Sequence, residues 1–100
     1  MKIEQLFKID EMILSITREK YKISRFDLKI LSICRDSEET LYSLFAKRGL
    51  DRSLAFKRVK VMEERGFIVR ELLGRKKIIR VTERSLEAIK FIESISIEEI

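Results

Sequence analysis

Apolar residues recur at helical spacing in the first half of the chain. Between residues 3 and 17 they fall three or four positions apart with charged residues between them, which predicts an amphipathic N-terminal helix. Ser24, followed three positions later by Asp27, has the spacing of a capping box and predicts a second, well-buried helix. A third, short helix over residues 41–48 is expected to end at Gly49 in a left-handed cap.

A fourth helix has two unlike faces. Asp51 or Ser53 can cap its start, and Gly66 stands just past its end. At 100° per residue, one face is apolar and the opposite face is mostly basic. The apolar face contains Ala55, Val59 and Met62, and the opposite face contains Ser53, Lys57, Lys60 and Glu64. Phe56 and Val61 flank the basic face, where an apolar side chain needs something to cover it.

Beyond this helix the pattern changes from helical to extended. Residues 67–72 and 77–82 are rich in β-formers and are separated by a short connection that contains Gly74, which predicts a hairpin with a basic tip. Thr82 can then cap a last helix, in which apolar residues again recur at helical intervals.

Length and composition restrict the function classes. The chain has 100 residues, of which 45% are hydrophobic and 39% charged, so we expect one folded domain over residues 1–100. No apolar run approaches the length of a membrane span, and the start lacks the pattern of a secretory signal, so a cytoplasmic location is expected. The chain has no histidine and one cysteine. We therefore assign no catalytic residue, no metal site and no cofactor.

Positive charge is concentrated in the middle of the sequence. Residues 41–66 contain seven Lys and Arg against three Asp and Glu, and residues 67–82 contain five against one. Residues 1–20 and 21–40 each have no net charge, and the tail after residue 82 is acidic. Such a cluster attracts polyanions and releases their counterions on binding, although it can also be an ordinary solvated face.

The order of elements and several short motifs resemble a known family. Helix, helix, turn, basic helix and basic hairpin is the order of a winged helix-turn-helix module. TLYSLFAKRGL at 40–50, DRS at 51–53, MEERGFI at 62–68 and VTE at 81–83 are similar to segments of winged-helix transcription regulators of the MarR type and their archaeal relatives. The fold class implied is α+β, mainly helical, with a two-stranded hairpin wing at the end of residues 24–82 and extra helices over 1–20 and 83–100.

The resemblance also implies which residues contact DNA. The recognition helix would place in the major groove Arg52, Ser53, Leu54, Phe56, Lys57 and Lys60. The wing contacts would be Arg75, Lys76 and Lys77. Where the family has a small alanine at the crossing of its second and recognition helices, either Phe45 or Ala46 takes that place. Ser85 matches only loosely a small residue that often follows the wing.

The ends of the chain carry more apolar residues than a small core needs, which predicts a homodimer through the terminal helices. The residues expected in the partner surface are Phe7, Met12, Ile13, Leu14, Phe91, Ile92, Ile95, Ile97 and Ile100. The alternative is that these helices fold back on their own core. Cys34 lies in an apolar helix and is interpreted as a buried structural thiol, with a redox sensor as the alternative.

These features favour a sequence-specific double-stranded DNA-binding transcriptional regulator. Two alternatives are a winged-helix subunit used for protein contact and an architectural DNA binder without sequence preference. The architectural binder differs from the regulator in the ratio of specific to random-sequence affinity. The protein-contact subunit predicts no preference for a palindrome and a partner for the apolar chain ends. The sequence carries no readable trace of a small-molecule effector.

Overall fold

The computed structural model describes residues 19–99, with side chains described as far as residue 94. The helix predicted over residues 3–17 therefore lies outside the described residues. The first described residues, Glu19 to Tyr21, are helical. In chain order the elements are α1 (Arg25–Asp36), α2 (Leu41–Ala46), α3 (Arg52–Glu64), β1 (Ile68–Leu73), β2 (Lys76–Val81) and α4 (Glu83–Glu99).

Side-chain caps determine where the first three of these helices begin. The Asp27 N–H donates to the Ser24 hydroxyl and the Ser24 N–H donates to the Asp27 carboxylate, which confirms the capping box at the start of α1. Thr40 and Ser43 form a second capping box at α2. The α3 cap is Asp51, whose carboxylate accepts from the Leu54 N–H at 2.8 Å. The choice between Asp51 and Ser53 is thereby resolved, since Ser53 lies in the first turn.

The core lies where α1, α3 and α4 meet the base of the hairpin. Its fully buried side chains include Leu31 of α1, Met62 of α3, Phe67 just before β1, and Ile89 of α4. The buried face of α3 is the apolar face predicted from the sequence, with Ala55, Val59 and Met62 all at 0% exposure. Because these side chains are held in the core, the opposite face of α3 is turned to solvent.

The wing is a tight antiparallel hairpin. Leu73 pairs with Lys76, so the turn consists of Gly74 and Arg75 alone. Gly74 has φ of +65°, a conformation that suits glycine at the first central position of a two-residue hairpin turn. Each strand lies one residue closer to the turn than predicted. Leu73 therefore belongs to β1 and Lys76 to β2, rather than to the connection.

Hydroxyl groups tie the end of the wing to its beginning. Thr82 caps α4 as predicted, accepting from the Ser85 N–H, and its hydroxyl donates to the Gly66 carbonyl at 2.7 Å. The Ser85 hydroxyl, fully buried, donates to the Phe67 carbonyl. A small polar residue is needed at position 85 because it packs against backbone and satisfies a buried carbonyl.

One expectation about the chain ends is wrong. Ile92 is fully buried in the chain's own core, because α4 folds back over it, so Ile92 is not available to a partner. Phe91 is half-buried and makes an edge contact with Tyr21, their ring centroids 5.5 Å apart. The other residues predicted for the partner surface fall outside the described side chains.

Within residues 19–99, no helix combines the length and apolar character that crossing a membrane requires. In the same part of the chain, no three His, Cys, Asp or Glu side chains are grouped so that they could hold a metal ion.

Candidate nucleic-acid interface

The outward face of α3 presents the six residues predicted to enter the major groove. Arg52, Ser53, Lys57 and Lys60 are exposed. Leu54 is 39% exposed and Phe56 is 46% exposed. The structure thus brings all six predicted α3 residues to the surface of one helix, while their neighbours Ala55 and Val59 are buried.

An aromatic cluster joins α3 to α2. The Phe56 ring stacks on Phe45 with centroids 6.0 Å apart, and Tyr42 makes an edge contact with Phe45 at 5.1 Å. The guanidinium of Arg52 lies over Phe45 at 5.3 Å and over Phe56 at 5.8 Å. Since Ala46 is exposed, it is Phe45 that faces α3 at the helix crossing. We call Tyr42, Phe45, Phe56 and Arg52 the aromatic cluster.

The three predicted wing residues are exposed and consecutive at the end of the hairpin. Arg75 occupies the turn, and Lys76 and Lys77 begin β2. A groove of about 800 Å³ separates the wing from α2. Its lining includes Tyr42, Lys47, Arg70, Arg75, Lys76 and Lys77. α2 therefore contacts α3 through the aromatic cluster on one side and borders the wing on the other.

Sequence reasoning did not include Tyr42 or Lys47 among the site residues. Tyr42 is 67% exposed and Lys47 is exposed, and both line the groove beside the wing. The charge of Lys47 was part of the basic cluster in the sequence. For Tyr42 the only signal was its place on the polar side of a short helix, which does not reveal the hairpin opposite it.

Ten of the twelve basic residues between positions 41 and 82 fall into two groups. Four arginines form ion pairs with nearby carboxylates: Arg48 with Glu39 at 2.6 Å, Arg58 with Asp27 at 2.6 Å, Arg70 with Glu63 at 3.1 Å and Arg80 with Glu71 at 3.3 Å. The predicted DNA contacts behave differently. No ion pair to another described residue is made by Arg52, Lys57, Lys60, Arg75, Lys76 or Lys77.

Arg58 shows why a basic residue on α3 is not automatically part of the interface. Its guanidinium makes two hydrogen bonds, of 2.7 and 2.6 Å, to the two carboxylate oxygens of Asp27. The Asp27 side chain is fully buried and that of Arg58 is 21% exposed. This bidentate pair holds α3 against the start of α1 and neutralises a buried charge.

Glu39, adjacent to Glu38, has a structural role that the sequence did not reveal. Arg48, Ser37 and Ser43 all donate to its carboxylate. The hydrogen bonds from Arg48 are the largest cause that lowers the pKa of Glu39 to about 2. The Glu39 carbonyl also accepts from the Ile79 N–H at 2.8 Å. Glu39 therefore links the turn before α2 to both α2 and the wing.

Cys34 is buried, as predicted for a structural thiol. Burial, with a smaller contribution from the Glu39 carboxylate, raises the pKa of the Cys34 thiol to about 12. Burial therefore favours the protonated form of this thiol.

Three packed helices followed by a two-stranded wing define a winged helix-turn-helix fold. No protein-family model matches the sequence, and no curated protein matches it significantly. Solved structures with the same fold include a MarR-family transcriptional regulator from Rhodococcus sp. RHA1. It is 23% identical and has a TM-score of 0.66, over 90% of this chain and 69% of that one.

Two further structures extend the comparison. A mutant of S. aureus MepR bound to an oligodeoxyribonucleotide is 16% identical with a TM-score of 0.73, over 97% of this chain and 72% of that one. The second is the homodimeric winged helix-turn-helix DNA-binding domain of Mb0332 from Mycobacterium bovis, a possible ArsR-family regulator. It is 13% identical with a TM-score of 0.66, over 89% of this chain and 83% of that one. This chain spans 63% to 69% of the length of three of the matched regulators. The winged-helix fold implied by the sequence motifs is confirmed.

Proposed function

We propose that this protein is a sequence-specific double-stranded DNA-binding transcriptional regulator. In this proposal α3 enters the major groove, and the wing contacts the neighbouring backbone or minor groove. The observation that supports it most directly is that some cations form ion pairs with carboxylates and others do not. Those on the outward face of α3 and at the end of the wing have no carboxylate partner among the described residues, so their charge is available to phosphates.

The likeness to known regulators supports this proposal. The S. aureus MepR mutant with the same fold is bound to an oligodeoxyribonucleotide, which shows that a chain folded this way can bind DNA. The surfaces expected to do so here are α3, with Arg52, Ser53, Leu54, Phe56, Lys57 and Lys60, and the wing, with Arg75, Lys76 and Lys77.

The proposal includes a homodimer. The Mb0332 domain with this fold is homodimeric, and a twofold pair of recognition helices would read two half-sites about 10 base pairs apart. Sedimentation equilibrium measures the mass in solution directly. A value near twice 11.9 kDa is expected, and a monomer at the concentrations used for DNA binding would contradict this part of the proposal.

The decisive experiment selects bound duplexes from a random DNA pool. The enriched duplex is then titrated against a scrambled one at two salt concentrations. We expect an enriched palindrome, strong discrimination against the scrambled duplex, and a slope of log affinity against log salt of about −7 if the dimer neutralises about eight phosphates. Salt-sensitive binding without discrimination would instead indicate an architectural DNA binder.

One observation favours the alternative of a protein-interaction subunit. Val69, Leu72 and Leu73 of β1 are 52%, 67% and 49% exposed, and exposed apolar side chains on one strand are typical of a contact surface. If no duplex is bound even at low salt, the wing becomes the candidate surface for a protein partner and the DNA-binding proposal is wrong.

A further inference from the structure

Phe56 is an apolar side chain in the middle of a cationic surface. It is 46% exposed on α3, and on the same outward face lie Lys57 and Lys60, both exposed. Burying an aromatic ring releases more free energy than burying almost any other side chain. A ligand that covers this ring would have to offer an apolar group close to negative charge.

The aromatic cluster holds this ring in place before any ligand arrives. Phe45 is half-buried and stacks on Phe56 with an angle of 29° between the ring planes, and Arg52 lies over both rings. A side chain that is already ordered loses little conformational entropy on binding. The Arg52 guanidinium also places positive charge 5.8 Å from the centre of the Phe56 ring.

Duplex DNA offers a match for this combination at one chemical group. The edges of the bases in the major groove are hydrogen-bond donors and acceptors, with the C5 methyl of thymine as the apolar exception. We infer that the aromatic cluster reads thymine, with the Phe56 ring packed on the C5 methyl while Lys57 and Lys60 contact the backbone. This inference rests on the proposed function, in which α3 lies in the major groove.

Stacking of an unpaired base on the same rings is the competing use of such a cluster. It fits this geometry less well, because the Phe45 and Phe56 rings already stack on each other and the Arg52 guanidinium lies over both. Methyl contact needs only the part of the Phe56 ring that is still exposed.

The test removes the methyl groups from the DNA and the ring from the protein, separately and together. The duplex obtained by selection is compared with a copy in which deoxyuridine replaces every thymidine, a change that deletes only the C5 methyl. For the wild-type protein we expect about fourfold weaker binding for each methyl group that Phe56 covers. Phe56→Ala should bind both duplexes with equal affinity, and Phe56→Leu should recover part of the preference for thymine.

Leu86→Ala is the matched control, since Leu86 is 37% exposed on α4 and lies outside the aromatic cluster, α3 and the wing. It should keep the wild-type ratio between the two duplexes. Circular dichroism verifies that each variant is folded. The inference is overturned, with the proposed function intact, if the selected site has no thymine, if the wild-type protein ignores the substitution, or if Phe56→Ala retains the ratio. Tighter binding to single strands than to duplex overturns it as well, and failure to bind any DNA overturns both proposals.

Discussion

Arg58 and Lys57 are neighbours in the sequence and carry the same charge, yet they belong to different parts of the molecule. Arg58 points toward α1, where it makes two hydrogen bonds to the buried Asp27. Lys57 is exposed and has no ion pair to a described residue. Successive residues of a helix point about 100° apart, so one step along α3 separates a cation used for folding from one left for a ligand.

The same contrast extends over the whole basic segment. The paired arginines link elements to each other: Arg48 joins the end of α2 to Glu39, and Arg70 joins β1 to α3. The consecutive cations of the wing make no such link, and their mutual repulsion makes folding less favourable. A sum of charges along the sequence therefore overestimates the positive charge that is available to a polyanion. The ion pairs show which arginines to leave out of that sum.

Removing the paired cation of this comparison should have the largest effect on stability. Arg58→Ala leaves the Asp27 carboxylate buried without its partner, which typically costs about 3–5 kcal/mol. The free energy of unfolding from urea titration measures this loss. Lys60→Ala, an exposed substitution on the same helix, should change stability by less than about 0.5 kcal/mol. A loss below about 1 kcal/mol for Arg58→Ala would show that the pair is not structural.

Removing the unpaired cations should act on binding and leave stability unchanged. The double variant Lys57→Ala/Lys60→Ala takes four charges from a dimer, so we expect affinity for the selected duplex to fall on the order of 100-fold and the salt slope to flatten by about 4. Fluorescence anisotropy at several salt concentrations measures both. Lys29→Ala/Lys90→Ala removes the same charge from exposed positions on α1 and α4 and should leave the slope unchanged. Equal effects of the two double variants would contradict the interface.

The elements were predictable because local signals agree with the tertiary packing. The capping box of Ser24 and Asp27 determined the start of α1, and the apolar face of α3 determined which side of that helix is buried. Glycine at position 74 indicated the hairpin, although the strand ends were displaced by one residue. Strand ends depend on the pairing register, which a single strand does not reveal.

The pairing of the cations was not predictable in the same way. Asp27 and Arg58 are 31 positions apart, and Glu39 and Arg48 are nine apart on either side of α2, so nothing in local spacing connects them. Ile92 was misplaced for a similar reason. Whether a terminal helix packs on its own core or on a partner depends on the angle at which it returns, and its apolar pattern is the same in both cases.

A third prediction uses pH to test the partly exposed ion pair of Arg48 and Glu39. The folded protein lowers the pKa of Glu39 from 4.5 to about 2, so the folded state favours the ionised carboxylate. The stability that this provides is present above about pH 4.5 and is lost as the pH falls toward 2. The effect should be smaller than that of Arg58→Ala, because the side chain of Arg48 is 44% exposed. Urea unfolding from neutral pH down to about pH 2.5 should show a weaker acid dependence for Glu39→Gln, and identical pH profiles would exclude Glu39 as the cause.

The smallest effect is expected for Arg80, and it tests whether an exposed ion pair keeps a cation from binding DNA. Arg80 is paired, but it is 37% exposed and its partners Glu38 and Glu71 are 60% and 58% exposed, so water screens the interaction. Arg80→Ala should therefore cost less than about 0.5 kcal/mol of stability.

Because two carboxylates already compete for Arg80, its removal should also change the salt slope of DNA binding less than Arg75→Ala does. Arg75→Ala takes an unpaired cation from the wing and should flatten the slope by about 0.9 for each phosphate that the protein no longer neutralises. If the two variants flatten the slope equally, exposed ion pairs do not withhold cations from DNA. Only the buried pair of Arg58 and Asp27 and the partly buried pairs of Arg48 with Glu39 and of Arg70 with Glu63 would then separate folding charge from binding charge.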